Sequence, residues 1–311
     1  MLETNITIVV PTYNRCSYLK RLLKYYTETN LKLNIIVADS STTEFSVINK
    51  TICEKYGCNI KYLKFDPNII FYKKLSLVLN SINTPYTVFN ADDDFVLPSG
   101  MAECINFLEK NHDYSVAHGI AVFCIVNSQA ITSIYPYRQS SICSEKSEMR
   151  LISHLSDYTT TFYSIHRTLD IKHNLMRACE FSDKVDSFFG FTELLLSSMS
   201  LIQGKSKRLD CLYMVRQYDG TNSVYEGRES RASYLISPVF RRELKKFCNI
   251  LMCEFNKFFI NDKYFALPYI HQAIRAYLKS SATVDNVAED FKSVAEIRLE
   301  TAHSLAQKWL V

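Results

Sequence analysis

The chain has 311 residues, of which 47% are hydrophobic and 22% charged, the balance of a globular protein with a full core and not of a disordered or fibrous one. Against 32 acidic residues stand 36 Lys and Arg, a formal net charge of +4 that is too small and too dispersed for a nucleic-acid footprint. The 10 cysteines include no CxxC pair, which speaks against a zinc framework and for free thiols in a reducing compartment. MLETNITIVVP at the start carries no basic segment followed by an apolar one, so no signal peptide is expected. The longest apolar run, GIAVFCIV (119–126), is too short to span a bilayer. The expected location is the cytoplasm, with membrane contact only at its inner face.

In chain order, ITIVV (6–10) reads as a β-branched strand, and CSYLKRLLKYY (16–26) sets apolar residues at 19, 22, 23 and 26, a helical stripe. NIIVADSS (34–41) is a second strand that ends in Asp39 and two serines, and 44–56 is helical in period. NIKYLKF (59–65) alternates as a third strand. FYKKLSLVLNSI (71–82) places Leu75, Val78, Leu79 and Ile82 on one helix face, and YTVFN (86–90) is a fourth strand. Repeated β-α units predict an α/β fold, Rossmann-like, with a mostly parallel sheet and helices on both faces. Ligands of such sheets sit at the carboxyl ends of the strands. That rule gathers PTYNR (11–15), ADSS (38–41) and ADDD (91–94) in one place.

Beyond residue 110 the pattern is less regular. Residues 114–136 read as one or two strands, YTTTFYSIHR (158–167) alternates as a strand, and FFGFTELLLSSMSLIQG (188–204) reads as a helix stopped by Gly204. RLDCLYMVRQY (208–218) is a further strand. From about Ser230 the period is helical, with Phe240, Leu244, Phe247, Leu251 and Phe255 on one stripe and two more helical stretches over 264–280 and 284–309. The expected organisation is a domain over 1–230 and an all-helical extension over 231–311. The basic stretch Arg241, Arg242, Lys245 and Lys246 of that extension suits a solvated face, an anionic lipid surface or a homodimer contact.

Asp92, Asp93 and Asp94 stand in a row after the fourth strand, and nothing within the stretch neutralises them. In an extended chain alternate residues share a side, so Asp92 and Asp94 would face one cation while Asp93 faces away. Two carboxylates with substrate phosphates suit Mg²⁺ or Mn²⁺. A prenyl-synthase DDxxD fails at Val96. The DxDx(T/V) of dehalogenase-class phosphatases fits Asp92 to Val96 in letters, but its nucleophile belongs on the first strand of the sheet. A plain acidic loop or a helix cap near Pro98 is the bland alternative.

TIVVPTYNRCSYLKRLL, then IIVADSS, then TPYTVFNADDDFVLPSGM resembles the family-2 glycosyltransferases of the GT-A fold over residues 5–110, more loosely over 111–225. The triple Asp behind FYKKLSLVLNSI is similar to a bacterial subgroup associated with surface polysaccharides. The resemblance implies a nucleoside-diphosphate sugar donor, a saccharide or lipid-linked acceptor, and inverting transfer. It places Pro11, Thr12, Tyr13 and Arg15 at the base and ribose, Asp39 on the base, and Lys74 (or Lys73) by the diphosphate. Asp92 and Asp93 fall at the donor, and Asp92 and Asp94 on the metal. The register stays open, because counting back from Pro98 puts Ala91 where the family's first acid falls. Glu193 is the acid matching the catalytic base, with Asp183 and Asp186 in reserve. Arg216 and Tyr218 match the closing loop loosely, and His166 falls on the acceptor side. The Gln-x-x-Arg-Trp signature of processive synthases is absent, since the one Trp is Trp309. One sugar per encounter is therefore expected. A nucleotide-sugar binder without catalysis is the alternative, and a dehalogenase-class phosphatase a weaker one.

Overall fold

The computed structural model describes residues 2–57, 59–127, 130–137, 139–181, 189–218, 238–258, 265–280 and 296–310. A short helix α1 (Leu2–Asn5) leads into β1 (Ile6–Thr12), α2 (Cys16–Glu28), β2 (Asn34–Asp39), α3 (Thr43–Tyr56), β3 (Ile60–Lys64), α4 (Phe71–Leu79) and β4 (Tyr86–Phe89). The β-α alternation expected for the first hundred residues is thus present. β1 is buried over nearly its whole length. A strand of a sheet covered on both faces needs that continuous apolar run instead of alternation. α2 buries Leu19, Leu22, Leu23 and Tyr26, the stripe its period predicts.

The second half begins with a two-residue strand β5 (Phe95–Val96) and α5 (Pro98–Lys110), whose first residue is a proline already fixed at helical φ. Then follow β6 (Tyr114–Asn127), β7 (Ala130–Pro136), α6 (Ser147–Ser156), β8 (Ile165–Arg167), α7 (Thr168–Phe181), α8 (Phe189–Gln203) and β9 (Lys205–Tyr218). After β9 come the helices α9 (Pro238–Phe255), α10 (Leu267–Ser280) and α11 (Glu296–Leu310). Two features differ from expectation. Of 158–167 only Ile165–Arg167 is strand, because a turn closes from Ser164 N–H to the Thr161 carbonyl and Thr161 is tied to Ser197 Oγ. Helices α6 and α7 were not anticipated. Gly204 does end α8: a Cβ there would sit 2.7 Å from the Ser115 nitrogen, so only glycine lets α8 turn directly into β9.

The sheet runs β3-β2-β1-β4-β8-β6-β9-β5, with β7 on the free part of β6. β3, β2, β1 and β4 are mutually parallel, and β6 is parallel to β9, while β8, β7 and β5 pair antiparallel. The chain builds outward from β1 through β2 to β3, then returns to lay β4 on the other side of β1. That reversal opens a crevice at the carboxyl ends of β1 and β4. One face of the sheet is covered by α2, α5 and α11. There Trp309 of α11 joins the same apolar cluster as Ile8 and Tyr26, with its ring 5.4 Å from Tyr25. The other face packs Leu75 and Val78 of α4 and Leu175 of α7 against Val9 and Phe89. A third cluster joins α6, α8, α9 and α10 through Leu151, Leu195, Leu251 and Ile270.

Candidate active site

The loop after β1 carries the first part of the site. Asn14 adopts φ 55°, a left-handed conformation that asparagine tolerates. Its N–H reaches Ser41 Oγ at 2.8 Å and its Oδ1 accepts from Thr42 N–H at 2.9 Å, so the loops after β1 and β2 are locked together. Tyr13 projects outward, 49% exposed, and Pro11 is half-buried on the last part of β1. Asp39, at the end of β2, is fully buried. Its oxygens accept from Ser41 N–H (2.7 Å), Asn49 Nδ2 (3.1 Å) and Tyr62 OH (2.7 Å). Burial alone would raise this carboxyl, but the donors from Ser41, Tyr62 and Asn49 hold it below the ordinary range.

Lys74 on α4 lies beneath these loops, buried. Its ammonium donates to Ser40 Oγ at 2.8 Å and points at the Thr12 carbonyl at 3.5 Å. Burial draws it down to about 8, opposed by Asp39 and Asp92. In this position Lys74 ties the carboxyl ends of β1 and β2 together.

The three aspartates do not alternate. Asp94 N–H bonds the Ala91 carbonyl at 3.1 Å, which closes a turn and cancels the side-to-side rule of an extended chain. Asn90 Nδ2 braces this turn through the carbonyls of Ala91 and Asp94. Asp92 and Asp93, rather than Asp92 and Asp94, therefore share one partner: Arg15 reaches Asp92 Oδ1 and Asp93 Oδ2, each at 2.9 Å. The other oxygen of Asp92 accepts from Thr12 Oγ1 at 2.7 Å. Asp94 turns the opposite way, to Arg216 Nε at 3.3 Å and Gln217 N–H at 3.1 Å on β9. The charges that the stretch itself leaves bare are thus met by two arginines from distant parts of the chain. Burial lifts Asp92 to about 6 against the pull of Arg15, and lifts Asp94 against that of Arg216.

Arg216 sits within β9, its guanidinium 4.9 Å from the ring centres of both Phe123 and Tyr163. It is a packed strand residue. The stretch 219–237 that follows it lies outside the described residues, as do Asp183 and Asp186. Glu193 is half-buried on α8, and its Oε1 accepts from Tyr158 OH at 2.9 Å. Tyr163 links the two regions, lying within charge reach of Asp93, Asp94 and Glu193. His166 is buried, drawn down by burial to about 4, with Nε2 against the Phe162 carbonyl; its surroundings are structural.

Asn14, Asn90, Tyr158 and Gln217 were missed. Asn14 had a signal, since an asparagine directly after a strand suits left-handed φ. Tyr158 and Gln217 act through partners remote in sequence, whereas Asn90 acts locally, on the turn that Ala91 and Asp94 close.

Among the described residues no group of three His, Cys, Asp or Glu side chains converges on a point that would hold a metal. The acid turn nevertheless offers the right kind of donor. It presents hard carboxylate oxygens, and Asp93 Oδ1 accepts no hydrogen bond among the described residues. No helix among these residues is long and apolar enough to cross a membrane.

The sequence profile described as Glycosyl transferase family 2 matches residues 7–173, more than half of the chain and all of the strands that carry this crevice except β9. The chain belongs to glycosyl transferase family 2. Its α/β architecture is that of the GT-A fold. The family-2 chain is similar to the crystal structure of S. aureus TarS 1–349, with TM-score 0.54 and 14% identity over 96% of this chain and 78% of that one. A longer S. aureus TarS structure aligns with TM-score 0.53 and 15% identity, covering 91% of this chain. The chain spans 44% of that longer TarS. At such identities the likeness is one of fold. The search of curated proteins returned no match.

Proposed function

We propose that this family-2 glycosyltransferase moves one sugar per encounter from a nucleoside-diphosphate sugar to a saccharide or lipid-linked acceptor, with inversion, in bacterial surface polysaccharide synthesis. The observation that carries the reading is the tie between Arg15 and the Asp92–Asp93 pair at the β1/β4 crevice. It puts acids, a bidentate guanidinium and the PTYNR loop around one point.

In this reading Pro11, Thr12, Tyr13 and Arg15 border the base and ribose, with Asp39 ordering the loop on which the base rests. Arg15 and Arg216 present fork-shaped donors suited to diphosphate oxygens, and Lys74 adds positive charge from below. Asp92 and Asp93, which face the same side, would hold Mg²⁺ or Mn²⁺, in place of the alternating Asp92 and Asp94, since both oxygens of Asp94 are engaged by Arg216 and Gln217. When bound, the cation neutralises charge on the departing diphosphate. Glu193 takes the proton of the acceptor hydroxyl as that oxygen attacks the anomeric carbon and the bond to the diphosphate breaks. Tyr158 holds Oε1, which leaves Oε2 for the proton. The catalytic unit is assigned to residues 1–230 and the helices of 231–311 brace it, on the cytoplasmic side of the membrane.

One observation favours a second reading, a nucleotide-sugar binder without turnover: each of the three aspartates already has an arginine partner. The test is a transfer and hydrolysis assay over a panel of nucleoside-diphosphate sugars with and without Mn²⁺. Turnover in the wild type that is lost in both Asp93→Ala and Glu193→Gln supports the transferase. Binding without turnover supports the second reading, and full activity in both variants removes the assigned roles.

A further inference from the structure

Helices α9 and α10 distribute their charges unevenly. The acids of α9 are Glu243 and Glu254, which are 8% and 3% exposed, and α10 contains no acid at all. The outward sides carry the basic residues Arg241, Arg242 and Lys245 on α9 and Arg275 and Lys279 on α10, all at least partly exposed. No described acid lies within ion-pair distance of any of the five. Just past α9, the ring of Phe258 is 53% exposed. Such charges would normally be interspersed with acids on a solvated face. Here every acid of these two helices is turned inward, and Glu254 is consumed by His173, Gln203 and Lys257.

The two helices adjoin the candidate base. Phe240, next to Arg241, packs 5.6 Å from Phe191 of α8. Tyr277, between Arg275 and Lys279, lies 5.6 Å from Tyr158, whose hydroxyl holds Glu193. The inward sides of both helices therefore pack beside the elements that carry and hold Glu193, with the basic residues on the opposite, outward sides.

We infer that the outward side of α9 and α10 docks on a membrane surface of anionic lipid. The five cations lie on exposed outward sides and not in an enclosed pocket, three within about one turn near the start of α9 and two about one turn apart near the end of α10. Together with an exposed aromatic ring, that is the chemistry of an interfacial helix surface. Each basic residue near an anionic leaflet raises partitioning roughly fivefold. Docking this way holds the chain at the bilayer with Glu193 behind α9 and α10, about one helix diameter (~10 Å) in, where a lipid-linked acceptor would reach it past these helices; that last clause alone rests on the glycosyl-transfer reading.

The test is co-sedimentation of the full chain with vesicles of phosphatidylcholine alone and of phosphatidylcholine with phosphatidylglycerol, with long-chain inorganic polyphosphate as a soluble polyanion in parallel. The expected result is at least ~10-fold stronger binding to the anionic vesicles, released at about 1 M salt, where screening shortens to ~3 Å. The combined variant R241Q/R242Q/K245Q/R275Q/K279Q should lose that binding with its far-ultraviolet dichroism intact. Should it misfold, the pair R275Q/K279Q on α10 must show a smaller loss, and Phe258→Ser a reduction of a few fold. Equal binding to both vesicle types, no binding, or unchanged binding by these variants overturns the inference. Tight binding of polyphosphate without vesicle binding overturns it in favour of a soluble polyanionic partner. Donor hydrolysis without vesicles, measured on the same variants, reports on the catalytic reading separately and should be unchanged.

Discussion

The β1–β4 half of the sheet is parallel, and each of its first three strands leads through a short loop into a helix that covers the next strand. The β6–β9 half is mixed: β6 and β9 are each 14 residues long, and β8 enters between β4 and β6 from a turn at residues 161–164. The first half supplies the loops and acids of the site, and the second supplies Arg216, Tyr163 and Glu193. The crevice is therefore an interface between a locally organised half and one organised by long-range pairing. The proposed transfer would depend on their registration to within an ångström or so.

The largest expected effect is on activity. Glu193→Gln removes the proposed base from the second half while keeping its shape, and should lower the transfer rate about 10²- to 10⁴-fold with the melting temperature unchanged. Arg216→Ala comes next. It leaves Asp94, buried on the first half, without its cationic partner, and breaking such a pair costs about 3–5 kcal/mol. A urea titration should show the midpoint fall in one cooperative transition, whereas an independent early transition of the second half would mean that the two halves do not share this joint. Trp309→Ala should cost a comparable 3–5 kcal/mol or somewhat less, because the ring packs on Tyr25 of α2 and Phe95 of β5, joining the helix layer of the parallel half to the mixed half on which α11 lies. A loss below ~1 kcal/mol would show that α11 is dispensable to that joint.

The smallest effect is in pH dependence. No histidine precedes His112, so the imidazoles belong to the second half and to the helices after β9. Burial draws His154 down to about 3 and His118 to about 4. A group whose folded pKa is depressed is neutral in the folded state, and its contribution is lost as pH falls from the unfolded value of about 6.5 toward the folded one. Asp92, raised to about 6 mainly by burial, acts in the opposite sense, losing stability as pH rises through that value. The histidine effect must therefore be read as a difference. Between pH 8 and pH 5 the gap between His154→Leu and wild type should move in the variant's favour by about 2 kcal/mol. A constant gap would mean that His154 titrates as in water.

The two halves were unequally legible. In the first, period and position agree: the α2 stripe at Leu19, Leu22, Leu23 and Tyr26 is buried as its spacing demands, and the strand ends gather Thr12, Asp39 and Asp92. In the second, alternation over 158–167 pointed to a strand, but the Thr161–Ser197 contact, 36 residues apart, decided otherwise. The acid cluster failed in the same way. The rule that alternate residues share a side holds for extended backbone, and the Ala91–Asp94 turn removes that condition. The pairing of Asp94 with Arg216 spans 122 residues, and nothing local to either residue announces it. Tyr158 was hidden for the same reason, since its hydroxyl finds Glu193 only after α6 and α8 have packed.

The claim on which the rest depends is that the β1/β4 crevice binds a nucleoside diphosphate. Thermal unfolding of the full chain with each nucleoside diphosphate, with and without Mn²⁺, tests it directly. A ligand at about 100 times its Kd stabilises the folded state by about 2.7 kcal/mol. The account predicts that at least one nucleotide raises the melting temperature of the wild type and not that of Asp92→Asn/Asp93→Asn. A rise that survives in the double variant, or no rise with any nucleotide, would contradict it.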